Sequence, residues 1–179
     1  MSARLTIKKL VVELANVVLS AVFFFPARRF IVSRAFGSIG SGTTIHGFVR
    51  FFDLRKCRIG SNTTINRWCF IDNRGGVTIG SNVNISHDCR IYTMGHDMKD
   101  PHARVFCSEV TIGDDAWLFP GVRIMPGASI GRGAIVYPGS VVTKPVEDFA
   151  IVAGSPARRI GSRSPDIQYT ASFPVHFSI

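Results

Sequence analysis

The sequence predicts an all-β fold in which short strands stack into a three-sided coil, and three observations predict it. From Ile112 to Val142 an aliphatic residue recurs at every sixth position, at 112, 118, 124, 130, 136 and 142. Four residues after each of these stands a small side chain: Ala116, Val122, Ala128, Ala134, Ser140 and Val146. The phrases IGSGTT, IGSNTT and IGSNVN, which begin at Ile39, Ile59 and Ile79, are near copies twenty residues apart. A helical period of about 3.6 would scatter these positions, and a half-buried strand would alternate at every second residue. A period of six suits a unit that buries its apolar face only by stacking on copies of itself.

The chain of 179 residues is one domain's worth, and 46% hydrophobic residues are enough for a full core. A formal charge of +9 raises nucleic acid, an acidic membrane surface and a phosphorylated small molecule as partners. Aromatic RNA-binding motifs, zinc-finger spacings and helix-turn-helix signals are missing, which puts nucleic acid last. Cys57, Cys69, Cys89 and Cys107 form no CxxC pair and have no metal-ligand spacing. They read as small buried apolar residues, and free thiols suit a reducing cytoplasm.

Residues 1–35 form the N-terminal segment, an amphipathic helix. Within KKLVVELANVVLSAVFFF, Lys9, Glu13, Asn16 and Ser20 recur at helical spacing and line one face. The apolar run from Leu10 to Phe25 is short for a bilayer span and contains Glu13. FPARR after it is a poor signal-peptide cleavage site. Two readings stay open here. Either the broad apolar face packs on the repeats, or the helix lies on lipid with Arg28, Arg29 and Arg34 nearby, a peripheral membrane association.

Residues 36–161 form the repeat domain. The twenty-residue units each carry two residues more than three hexads, which places longer corners at Phe51 to Arg58 and at Arg74 to Thr78. The register breaks once, where fifteen residues, DMKDPHARVFCSEVT, follow His96. This gives a projecting loop at 96–110, and a long loop in a tight repeat is commonly functional. The tail, 162–179, contains candidate strands at Gln168 to Phe173 and Val175 to Ile179.

Hexads of the form aliphatic, Gly, x, x, small, x, the loop opened by IYTMGHD, the phrase IGDDAW and the closing VVTKPVEDFAIVAGSPARRIG together resemble the hexapeptide-repeat acyltransferases. Within that family the chain looks most similar to sugar and surface-polysaccharide O-acetyltransferases of the maltose and galactoside type. The resemblance implies a left-handed parallel β-helix, a homotrimer with its active site between subunits, acetyl-CoA as donor and a carbohydrate acceptor in polysaccharide biosynthesis. It also implies that His96 is the general base. The chemistry asks for such a group, because a sugar hydroxyl attacks a thioester only as its proton is removed, and imidazole suits that task at neutral pH. No serine or cysteine nucleophile is required, so transfer is expected to be direct.

The same resemblance assigns Trp117, Thr143, Lys144 and Arg158 to the pantetheine arm and nucleotide phosphates of the donor. Lysine and bidentate arginine suit phosphates. Packing is the competing reading for Trp117. Asp97, beside His96, is a candidate for orienting the imidazole, and His102 for touching substrate; no convergent metal-ligand set is announced, so no metal is expected. His46, His87 and His176 are given no role, and His87 reads as solvated. Three residues depart from the family pattern. Trp68, a candidate substrate contact, stands where the maltose and galactoside enzymes place a sugar-contacting asparagine, and Pro120 and Pro138 replace small residues and lack an N–H. Two other functions remain: N-acetylation of an amino sugar or transfer to a xenobiotic, and a catalytically silent β-helix that binds a partner or scaffolds an assembly.

Overall fold

A chain that turns a corner every six residues places each sixth side chain at the same point of successive sides. The computed structural model, which describes residues 3–172, is built in this way as a left-handed parallel β-helix. Its first face stacks Gly37–Ile39, Cys57–Ile59, Val77–Ile79, Val110–Ile112 and Ser129–Ile130. The second stacks Thr44–Ile45, Thr64–Ile65, Asn84–Ile85, Trp117–Leu118, Ile135–Val136 and Ala150–Ala153, and Arg158–Ser162 closes it antiparallel. The third stacks Arg50–Phe51, Phe70–Ile71, Arg90–Ile91, Arg123–Ile124 and Val141–Val142.

The hexad aliphatics are the core. Ile45, Ile65, Ile85, Leu118, Val136 and Val152 stand in register on the second face, and Phe51, Ile71, Ile91, Ile124 and Val142 on the third. All of them are buried, as are the corner residues Ala116, Val122, Ala128, Ala134, Ser140 and Val146, where the triangular section leaves room only for short side chains. Pro120 and Pro138 each precede a glycine with positive φ, 74° at Gly121 and 67° at Gly139. Proline followed by a left-handed glycine is the chemistry of a type II turn, so both prolines form the corner between the second and third faces.

The two extra residues of the early units sit at the corner between the third and first faces. The side chain of Asn73, fully buried, holds that corner: its Oδ1 accepts from the amides of Phe52 at 3.0 Å and Asp53 at 2.8 Å, and its Nδ2 donates to the Asp53 carbonyl at 2.9 Å.

The N-terminal segment is two helices, α1 (Ala3–Ala21) and α2 (Phe25–Ala35), with Pro26 in the first turn of the second. α2 closes the base of the coil: Val32 and Phe36 are wholly buried, and the Phe36 ring stacks on Phe51 at 4.8 Å. α1 docks the other way round from the packed-helix reading of the sequence. Asn16 of its polar seam faces the coil together with buried Val12 and Leu19, and the wider aliphatic stripe faces outward. Asn16 donates to the Phe51 carbonyl at 2.8 Å and accepts from the Phe51 amide at 2.9 Å, Lys8 pairs with Asp53 at 2.5 Å, and Glu13 pairs with Arg50 at 2.7 Å. The reason is the sheet edge. The first strand of the third face has no strand below it, and Asn16 supplies the donor and acceptor that its backbone needs.

No helix among the described residues is long and apolar enough to cross a membrane. The tail differs from expectation: Gln168 to Ser172 form no strand, and Val175 to Ile179, with His176, lie outside the described residues. It runs back across the second face, where the Ala171 amide donates to Asn82 Oδ1 at 2.6 Å and Thr64 Oγ1 donates to the Ala171 carbonyl at 2.5 Å. Cys57, Cys69 and Cys89 are buried as read, whereas Cys107 is exposed because it lies in the projecting hairpin.

Candidate active site

The register break is a β-hairpin that leaves the corner between the third and first faces. Met94–His96 pairs antiparallel with Val105–Cys107, and Gly95 faces Phe106. A β-carbon on Gly95 would lie 2.9 Å from that ring, so a larger residue there would have to displace the Phe106 side chain. Buried Thr93 ties down the root: its hydroxyl donates to the Asp72 carbonyl at 2.6 Å and accepts from the Gly75 amide at 2.8 Å. Val110 already belongs to the first face, in register with Val77.

His96 is exposed on the first leg of the hairpin, and its Nδ1 lies 2.7 Å from the carbonyl oxygen of Ala103. A carbonyl only accepts, so Nδ1 carries a proton, and in the neutral ring Nε2 presents its lone pair. Ala103 takes a φ of 45°, and its amide donates to the Asp100 carbonyl at 2.8 Å, which turns its own carbonyl toward the imidazole. The orienting group is therefore a backbone atom, which sequence reasoning missed and no residue type announces. Asp97 serves the loop, accepting from the Lys99 amide at 2.9 Å. Asp100 accepts from the His102 amide and pairs with Arg104, and these two contacts hold its carboxyl below the usual range. The His102 side chain is exposed near the hairpin tip.

Two rungs above the hairpin root, at the same corner, the last coil ends in a cleft of about 350 Å³. Stacked strands are about 4.8 Å apart, so the cleft begins roughly 10 Å along the axis from the root. Between them Ser108 packs on Gly127, where an added β-carbon would lie 3.3 Å from the serine's own. Thr143, Lys144 and Arg158 all line the cleft, with Arg159, Glu147 and Ala157. Arg159 pairs with Glu147, while Arg158 donates to the Ala157 carbonyl at 3.0 Å; Lys144 and Arg158 have no carboxylate partner among the described residues. Two open cations in a cleft suit phosphate groups.

One edge of the coil thus carries His96, Asp97, His102, Thr143 and Lys144, with Arg158 in the cleft at its end. Trp117 lies on the second face instead. Its indole meets the Tyr169 ring edge-on at 5.2 Å and Phe119 at 6.2 Å, so the tail of the same chain packs over it. Trp68 occupies a third position, the corner between the second and third faces. It is 55% exposed, with a φ of 62°, in a ladder with Phe48 at 6.5 Å and His87 at 6.2 Å. No group of three His, Cys, Asp or Glu among the described residues is placed to hold a metal ion.

The family described as bacterial transferase hexapeptide (six repeats) matches residues 109–144. A chloramphenicol acetyltransferase of Klebsiella aerogenes is 47% identical over 55 residues, which are 31% of this chain and 26% of that enzyme. The chain therefore aligns with about a quarter of that curated relative's length. Two solved structures match almost end to end. A hexapeptide-repeat acetyltransferase from Vibrio cholerae in complex with acetyl-CoA has a TM-score of 0.84 at 26% identity, covering 91% of each chain. A maltose O-acetyltransferase from Clostridium difficile has a TM-score of 0.85 at 27% identity, covering 91% of this chain and 90% of that one.

Proposed function

We propose that this hexapeptide-repeat chain, similar over its whole coil to acetyltransferases, transfers the acetyl group of acetyl-CoA to a hydroxyl of a carbohydrate in surface-polysaccharide assembly. The observation that carries the proposal is the His96 to Ala103 contact, which makes Nε2 the lone-pair nitrogen of the neutral ring on the edge that ends in the cationic cleft. In the cleft Lys144 and Arg158 meet the donor's phosphates, and Thr143 begins the path toward the hairpin. Nε2 takes the hydroxyl proton as the oxygen bonds to the thioester carbonyl carbon. As the carbon–sulfur bond breaks, the imidazolium returns that proton to the departing thiolate, so the products are acetyl ester and free CoA thiol.

Trp117 and Trp68 stand on other sides of the coil from His96, so they reach the reacting groups only if a second copy brings its own. This favours a homotrimer with the site between subunits. Buried reduced thiols at Cys57, Cys69 and Cys89 favour a cytoplasmic setting. A second reading draws on the chloramphenicol acetyltransferase similarity: the acceptor is a xenobiotic rather than a saccharide, with the same base and the same donor cleft. Release of CoA thiol from acetyl-CoA, measured across polysaccharide precursors, nucleotide-amino sugars and chloramphenicol, separates the readings. A wild-type protein that neither binds nor turns over acetyl-CoA would overturn both in favour of a silent β-helix scaffold.

A further inference from the structure

The outward side of α1 is a continuous aliphatic stripe. Ile7, Leu10, Val11, Leu14, Val17 and Val18 follow helical spacing and are 44–64% exposed, while Val12, Asn16 and Leu19 on the opposite side are buried against the coil. Phe23 and Phe24 at the link to α2, and Phe30 on α2, add three exposed rings. Monomers rarely leave so much contiguous apolar surface open without a partner. The docking explains how the stripe comes to face outward: the sheet edge takes Asn16, Lys8 and Glu13, which turns the aliphatic side away from the protein.

We propose that this stripe, with the cations beside it, is a docking surface for an anionic phospholipid bilayer, on which α1 lies in the plane of the headgroups. Charge decides the occupant. Arg4 on α1 and Arg29 and Arg34 on α2 have no carboxylate partner among the described residues, and the one acidic side chain of the two helices, Glu13, is taken by Arg50. An apolar stripe flanked by cations alone complements an acidic lipid surface. It would set like charges against each other if two copies met through it. The surface stands independently of the acetyl transfer, and its consequence is that the enzyme works beside the membrane.

The test is co-sedimentation of the full chain with vesicles of phosphatidylcholine alone or mixed with phosphatidylglycerol, at low and high salt. The wild type is expected on the mixed vesicles, with binding at least ~10-fold weaker on phosphatidylcholine alone or at high salt. Leu14→Gln with Val17→Gln, both outside the docked seam, should abolish binding at either salt while circular dichroism stays unchanged. Arg29→Gln with Arg34→Gln should weaken binding to mixed vesicles and flatten its salt dependence. Wild-type protein left in the supernatant with both vesicle types would overturn the proposal. So would vesicle binding that Leu14→Gln with Val17→Gln leaves intact, and so would a fall in oligomer size in that variant without vesicle binding, which would assign the stripe to a second copy.

Discussion

The imidazole of His96 is oriented by the carbonyl of Ala103, 2.7 Å from Nδ1, and by no carboxylate among the described residues. A carboxylate partner would stabilise the imidazolium and raise basicity, whereas a neutral carbonyl fixes the tautomer and the ring without adding charge. His96→Ala should therefore lose acceptor-dependent turnover by at least ~100-fold, the size at which general-base contributions begin. The donor KM should be unchanged, because the cleft lies two rungs away. Equal rates in a folded variant would move the base elsewhere.

The carbonyl can be tested apart from the ring. Proline at position 103 cannot take a φ near 45° and has no amide to donate to Asp100. Ala103→Pro should lower kcat about 10-fold with little change in KM for acetyl-CoA, as expected when only a positioning contact is lost. Ala103→Gly, which tolerates a positive φ, should keep near wild-type kcat. A kcat for Ala103→Pro equal to wild type would mean that the carbonyl does not position the base.

The cleft gives a graded prediction. Lys144→Ala and Arg158→Ala should each raise the KM for acetyl-CoA about 10-fold, the worth of one charge-assisted hydrogen bond, with kcat nearly constant. Arg159 is engaged with Glu147, so Arg159→Ala should have the smaller effect. Steady-state kinetics at low ionic strength read all three, and an Arg159 effect larger than that of Arg158 would reassign the phosphate site.

The coil was legible in the sequence because its period is written into the chain itself: Ile112, Leu118, Ile124 and Val136 occupy the interior positions that their spacing announces. The hairpin was legible as an interruption, though its antiparallel pairing and the Ala103 carbonyl depend on backbone geometry. α1 was legible only as amphipathic. A periodic pattern defines two faces without saying which one meets protein, and here the choice rests on the Phe51 backbone, 35 residues from Asn16. Trp117 was placed by motif, but the ring that packs on it, Tyr169, comes from a tail with no repeat to betray its path.

The corner alanines set a packing limit that mutation should reveal. Leu118 is wholly buried at the middle of the stack, and Leu118→Ala should cost about 2–5 kcal/mol for the lost contacts and the cavity. Ala116→Leu, at the corner two residues before it, should cost about 1–3 kcal/mol by overpacking a site with no exposed surface. Urea unfolding measures both. An Ala116→Leu variant as stable as wild type would show that the corner is not tightly packed.

His46 makes stability depend on pH. Its ring lies 4.8 Å from Phe25, and burial first, then the charges of Arg67, Arg28 and His87, push its pKa down to about 4 from the ordinary 6.5. The folded state therefore holds His46 neutral, and between pH 6.5 and about 4 the unfolded chain binds the extra proton. Stability from this group is fully present above pH 6.5 and is lost as the pH falls toward 4, by at most about 3 kcal/mol. His46→Gln cannot titrate, so its urea midpoint should fall less between pH 7 and pH 4.5 than that of the wild type. Parallel decline of the two proteins would place the acid sensitivity in other groups.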